Sequence, residues 1–72
     1  MTEQEVLWLA EAHATARGWP FLLPAFVRLH KPWLFGRPHW DVWTNAECRG
    51  QNVRVVIDAE TGAIVSSGFA PR

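Results

Sequence analysis

The sequence predicts an α+β fold: one N-terminal helix packed on an antiparallel three- to four-stranded β-meander, in a single domain covering residues 1–72. Three observations predict it. A capped Ala- and Leu-rich segment without Gly or Pro opens the chain. Short segments of period-two alternation follow it with no second helical pattern between them, so successive strands pair directly with their neighbours. Stretches containing Pro or Gly separate those segments.

Thr2 to Arg17 reads as the helix. Thr2 with Glu5 three residues on forms a capping box, and Glu3 and Glu5 suit the positive end of the helix dipole. Val6, Leu9, Ala10, His13 and Arg17 follow helical spacing along one side, flanked by Leu7 and Ala14. Gly18 supplies a left-handed C-terminal cap and Pro20 blocks continuation. After a connection from Trp19 to Pro24, Ala25 to His30 alternates as a strand, with Phe26, Arg28 and His30 on one side and Ala25, Val27 and Leu29 on the other. The alternation does not say whether this strand lies at the centre or the edge of the sheet. Lys31 to Pro38 is irregular.

His39 to Thr44 alternates again, with Trp40 and Val42 opposite Asp41 and Trp43. Asn45 to Gln51 is a polar hairpin connection. Asn52 to Asp58 is the clearest strand: Val53, Val55 and Ile57 form one side, Arg54 and Val56 the other. Asp58 to Gly62 is a turn with Gly where a positive φ is needed. Ala63 to Gly68 is the last strand, with Phe69 to Arg72 as a tail. The expected core is Val6, Leu9, Ala10, Val27, Trp40, Val42, Val53, Val55, Ile57 and Ile64. The opposite sheet face, with Arg54, Val56 and Trp43, is apolar for a surface left in bare water.

Composition narrows the function classes. Seven basic and seven acidic residues cancel at neutral pH. Without a net positive face the electrostatic basis for nucleic-acid binding is missing, as is a polybasic anchor for acidic lipids. A neutral chain with spare aromatic surface has little charge repulsion between copies, which favours self-association. Trp8, Trp19, Trp33, Trp40 and Trp43 cannot all be fully buried in so small a body, so at least one sits at the surface or a contact. Cys48, the single cysteine, allows no intramolecular disulfide and fits a reducing compartment. The acidic, polar start from Met1 to Glu5 is unlike a secretory signal, and no stretch approaches a membrane span. A cytoplasmic location is the expectation for the chain as it stands.

The candidate chemistry is sparse. His13, His30, His39 and Cys48 lack the close ligand spacing of a zinc site, so no metal and no cofactor is predicted. Cys48, between Glu47 and Arg49, reads as a spectator thiol because the acidic neighbour opposes any lowering of its pKa. Asp41, Glu47, Asp58 and Glu60 could supply paired carboxylates, but Asp58 and Glu60 fall in the turn, where structural use is favoured. Gly62 stands alone and makes no phosphate loop.

The stretch Pro32-Trp33-Leu34-Phe35-Gly36-Arg37-Pro38 stands out. Its three large apolar residues either fold over the sheet or project as an interface patch, and the sequence leaves both open. Trp33, Leu34, Phe35 and Arg37, with Trp43 on the sheet, are the candidate partner-binding residues, since Trp and Arg commonly anchor interfaces. Trp33, Phe35, Arg37 and Trp43 could also stack on single-stranded nucleic acid, a weak mode without a positive groove.

The chain also resembles the PepSY-type domains. The residues that carry the resemblance are the Ala-rich helix end from Ala10 to Gly18, Trp40-Asp41-Val42, and Val55-Val56-Ile57-Asp58-Ala59-Glu60-Thr61-Gly62. Small cystatin-like folds, some bacterial immunity proteins among them, carry similar patterns. The resemblance implies a helix on an antiparallel sheet, no catalysis, and a role in inhibiting or chaperoning peptidases or in sensing outside the cytoplasm. The chain departs from that pattern in its acidic start and in the Pro32–Pro38 stretch.

The function read from the sequence is a non-enzymatic protein- or peptide-binding module that self-associates as a homodimer, with an edge strand adding hydrogen bonds by β-augmentation. The alternative is an immunity or peptidase-inhibitor-type protein that blocks one enzyme. A third class, a small-ligand binder or thiol-dependent enzyme using Cys48 or the histidines, requires a concave pocket.

Overall fold

Helix α1 spans Glu3–Arg17 in the computed structural model of the chain, which describes residues 1–31, 36–47 and 50–71. The capping box is formed: the Glu5 N–H donates to Thr2 Oγ1 at 3.2 Å and the Thr2 N–H to Glu5 Oε1 at 2.9 Å. The Thr2 backbone N–H, with the Thr2 hydroxyl adding to it, stabilises the ionised Glu5 carboxylate and lowers its pKa. Gly18 takes φ 74°, and its N–H caps the Ala14 and Thr15 carbonyls.

Four strands follow: β1 (Phe26–His30), β2 (His39–Trp43), β3 (Asn52–Asp58) and β4 (Ile64–Ala70). They form one antiparallel meander in the order β1-β2-β3-β4. The first strand is therefore an edge strand, the point its alternation left open. The registers align Leu29, Trp40, Ile57 and Ile64 in one row and Val27, Val42, Val55 and Ser67 in the next. Both rows lie on the face that α1 covers.

Val6, Ala10 and Ala14 are the helix residues fully buried against Trp40, Val42, Val53, Val55 and Ile57. They recur every four residues, so the helix presents a stripe of small side chains that lets its backbone approach the sheet. Leu9 and Val27, expected in the core, are only partly buried at its margin. Ile64, also expected there, is 36% exposed. The reason is placement: α1 packs over β1, β2 and β3 and leaves β4 to one side.

The last strand runs further than its alternation suggested. A register shift between Val56 and Ile57 leaves Val65 as an extra residue, and pairing then continues to Ala70 opposite Asn52. Phe69 is consequently in the strand, not in a tail, and its ring stacks on Trp19 at 6.1 Å. His13 closes this margin through a 2.8 Å hydrogen bond between its Nε2 and Ser67 Oγ.

The β2–β3 connection is held by side-chain amides. Asn52 Nδ2 donates to the carbonyls of Thr44 (2.8 Å) and Asn45 (3.0 Å), and Asn45 Nδ2 donates to that of Gly50 at 3.0 Å. Thr44 is fully buried, and its Oγ1 accepts from the Val53 N–H at 3.0 Å. At the β3–β4 turn, Asp58 Oδ1 accepts from the N–H groups of Glu60 (2.8 Å) and Thr61 (3.1 Å). These backbone donors, chiefly that of Glu60, lower the Asp58 pKa, and the adjacent Arg37 adds to the effect. Gly62 takes φ 76° there.

Candidate binding face

The sheet face turned away from α1 has no element over it among the described residues. Strand register places its side chains in three rows. Phe26, Trp43, Arg54 and Gly68 form the first; Arg28, Asp41, Val56 and Ser66 the second; His30, His39 and Asp58 the third. The face is part aromatic, part cationic.

Phe26 and Trp43 meet edge to face at 5.5 Å and make an apolar end to the sheet, where Phe26 is 49% exposed. Arg54 on β3 reaches diagonally to Asp41 on β2, its Nε donating to Oδ1 at 3.0 Å and its NH2 group to Oδ2 at 2.9 Å. The fork-to-fork pair engages both carboxylate oxygens. Arg54 lowers the Asp41 pKa, first by hydrogen bonding and then by charge, with His39 and Arg28 contributing; Asp41 in turn raises that of Arg54.

Arg28 sits opposite Asp41 yet makes no ion pair or side-chain hydrogen bond among the described residues, because Asp41 is already bound to Arg54. His30 and His39 lie side by side across β1 and β2 at 4.9 Å. The depressions on this face are shallow and open, one around Arg28, Asp41, Trp43 and Arg54 and another around Arg54, Val56, Ser66 and Gly68. Among the described residues, no three His, Cys, Asp or Glu side chains converge to hold a metal ion.

The folded pKa of Asp41 lies below the ordinary 3.8, so the Arg54 pair stabilises the fold above that pH and is lost as pH falls through the folded value. For Asp41→Asn, urea unfolding across pH should show a neutral-pH deficit of about 0.2–1 kcal/mol, typical of an exposed pair. The deficit shrinks progressively as the pH is taken below 3.8. A deficit that is constant with pH contradicts this assignment.

Of the residues the sequence put forward, Trp43 lies on this face. Arg37 lies at its margin, where its Nε pairs with Asp58 Oδ2 at 3.1 Å and its NH2 group with Glu60 Oε2 at 3.2 Å. Its guanidinium thus ties the β2 entrance to the β3–β4 turn. Trp33, Leu34 and Phe35 fall outside the described residues, as does Cys48. Sequence reasoning set Asp41 beside Trp43 but did not name Phe26, Arg28 or Asp41 as binding residues. The signal was present in the alternation of β1, which puts Phe26, Arg28 and His30 on one side, but only the register sets them beside Trp43, Asp41 and His39.

No helix among the described residues is long and apolar enough to cross a membrane. No protein-family model, curated protein or solved structure matches the chain.

Proposed function

We propose that this chain is a non-enzymatic binding module whose helix-free sheet face takes a protein or peptide partner. The observation that carries the reading is the open aromatic pair Phe26–Trp43 beside the Arg28, Asp41 and Arg54 side chains. Large aromatics with arginine at hand are the usual energetic centre of an interface, and leaving them in water forgoes their burial. The shallow depressions suit an extended partner better than an enclosed small molecule.

Self-association belongs to the same reading and fits the β4 edge. That strand carries no charge, and Ile64 and Val65 are exposed on it. Sedimentation equilibrium tests this: Val65→Lys should shift a dimer toward monomer, and an unchanged mass removes β4 as the contact.

The binding face is tested by selecting a random-peptide display library on the immobilised domain, then screening the enriched peptides on a Phe26→Thr/Trp43→Thr variant. Peptides held by the parent and lost by the variant support the reading. Peptides held equally by both contradict it.

A further inference from the structure

Among the described residues β1 presents an unpaired edge, and the backbone groups that face outward from it can be identified. The Thr44 N–H donates to the Val53 carbonyl at 3.0 Å, and the Ala59 N–H to that of Pro38 at 3.0 Å. Antiparallel alternation then turns the peptide groups of Trp40 and Val42 toward β3 and those of His39, Asp41 and Trp43 toward β1. Their register partners Phe26, Arg28 and His30 are spent on β2, so Val27 and Leu29 point their N–H and C=O groups outward.

The side chains along this edge state what it accepts. Val27 and Leu29 lie on the helix-covered face and are apolar, with Leu29 still 36% exposed. Arg28, between them, lies on the open face without an ion pair among the described residues, the second arginine beside an Asp41 carboxylate whose two oxygens Arg54 holds. A second copy suits this edge poorly. Antiparallel pairing of β1 with itself about its central residue sets Arg28 against Arg28, and like charges directly opposite are destabilising. An acidic partner has the opposite sign.

We propose that β1 is an augmentation edge for an extended peptide segment of the pattern apolar–acidic–apolar. Its backbone bonds to Val27 and Leu29, its apolar side chains cover those residues, and its carboxylate lies against Arg28. The proposal rests on the reading that this domain binds peptide, and it adds the edge, the strand geometry and the partner's charge. Backbone bonds supply affinity in this mode, and the alternating side chains supply selectivity.

Two synthetic peptides test it, Ser-Val-Thr-Val-Glu-Val-Thr-Val-Ser and the same sequence with Lys at its centre, each acetylated and amidated. Amide-resolved NMR titration should show the Glu peptide slowing exchange of the Val27 and Leu29 amides. It should bind roughly three- to thirty-fold more tightly than the Lys peptide, the range expected when a cross-strand opposite-charge pair becomes a like-charge one. Arg28→Glu should reverse the order, and Arg28→Gln should abolish it. Equal affinities for parent and variants, or no protection of Val27 and Leu29, overturns the proposal. Shifts confined to Trp43, Arg54 and Val56 also overturn the edge assignment but leave the binding face standing. Edge protection that survives Phe26→Thr/Trp43→Thr supports the edge as a contact independent of the aromatic pair, and its loss there assigns the peptide to the face instead.

Discussion

Trp40→Ala is expected to leave about half of the molecules or more unfolded at room temperature. Trp40 is only 8% exposed, lies between Leu29 and Ile57 in the sheet, and belongs to the cluster that packs against Val6, Ala10 and Ala14. Truncating a buried tryptophan costs about 3–5 kcal/mol, the lost transfer energy plus the cavity left behind. A single core in so short a chain supplies only about 3–5 kcal/mol of net stability. The two figures are comparable, so about half of the molecules or fewer stay folded. Trp8→Ala provides the control. Trp8 is 68% exposed on the outer side of α1, and its replacement should change stability by no more than about 0.5 kcal/mol. Urea unfolding followed by far-ultraviolet circular dichroism compares the variants. A Trp40→Ala transition close to that of the parent contradicts the core described above.

The second large effect is on binding and leaves the fold in place. Phe26→Thr/Trp43→Thr is expected to weaken an enriched peptide by about thirty-fold or more, since an aromatic interface anchor is commonly worth about 2 kcal/mol or more. Threonine is chosen because it keeps β-propensity at both positions. Neither ring belongs to the buried cluster, so the amide spectrum should retain its dispersion. Affinity by isothermal titration calorimetry and the spectrum of the same sample separate loss of contact from loss of fold. An affinity within about twofold of the parent's leaves the aromatic pair without a binding role.

Much of the fold was legible because its signals are local. The Thr2–Glu5 box, the Gly18 cap and the Asp58–Gly62 turn each depend on a few neighbouring residues, and each is present. The alternation of β2 separated Trp40 from Trp43 and thereby the core from the open face. What period alone could not supply depends on register or on where the helix rests. Leu9 and Ala14 exchanged importance because α1 meets the sheet along its small residues. Ile64 stayed exposed because α1 packs over β1, β2 and β3, and Phe69 joined the strand because pairing with β3 continues past the register shift to Ala70.

The candidate surface was legible only in part for the same reason. That Trp43 has Phe26 for a neighbour follows from the β1–β2 register, and that Asp41 serves Arg54 and not Arg28 follows from the geometry of three strands. Arg37 was read as an interface residue from its aromatic neighbours in sequence. Its pairing with Asp58 and Glu60, more than twenty positions away, arises only when β2 lies beside β3.

The central claim is that the helix-free face of the sheet is where a partner rests. Cross-saturation transfer from an enriched, unlabelled peptide to the amide-labelled domain tests it most directly. Transfer is expected to Phe26, Arg28, Trp43, Arg54 and Val56, with none to the outer side of α1 around Trp8. Transfer centred on Trp8 and absent from those five residues would contradict it.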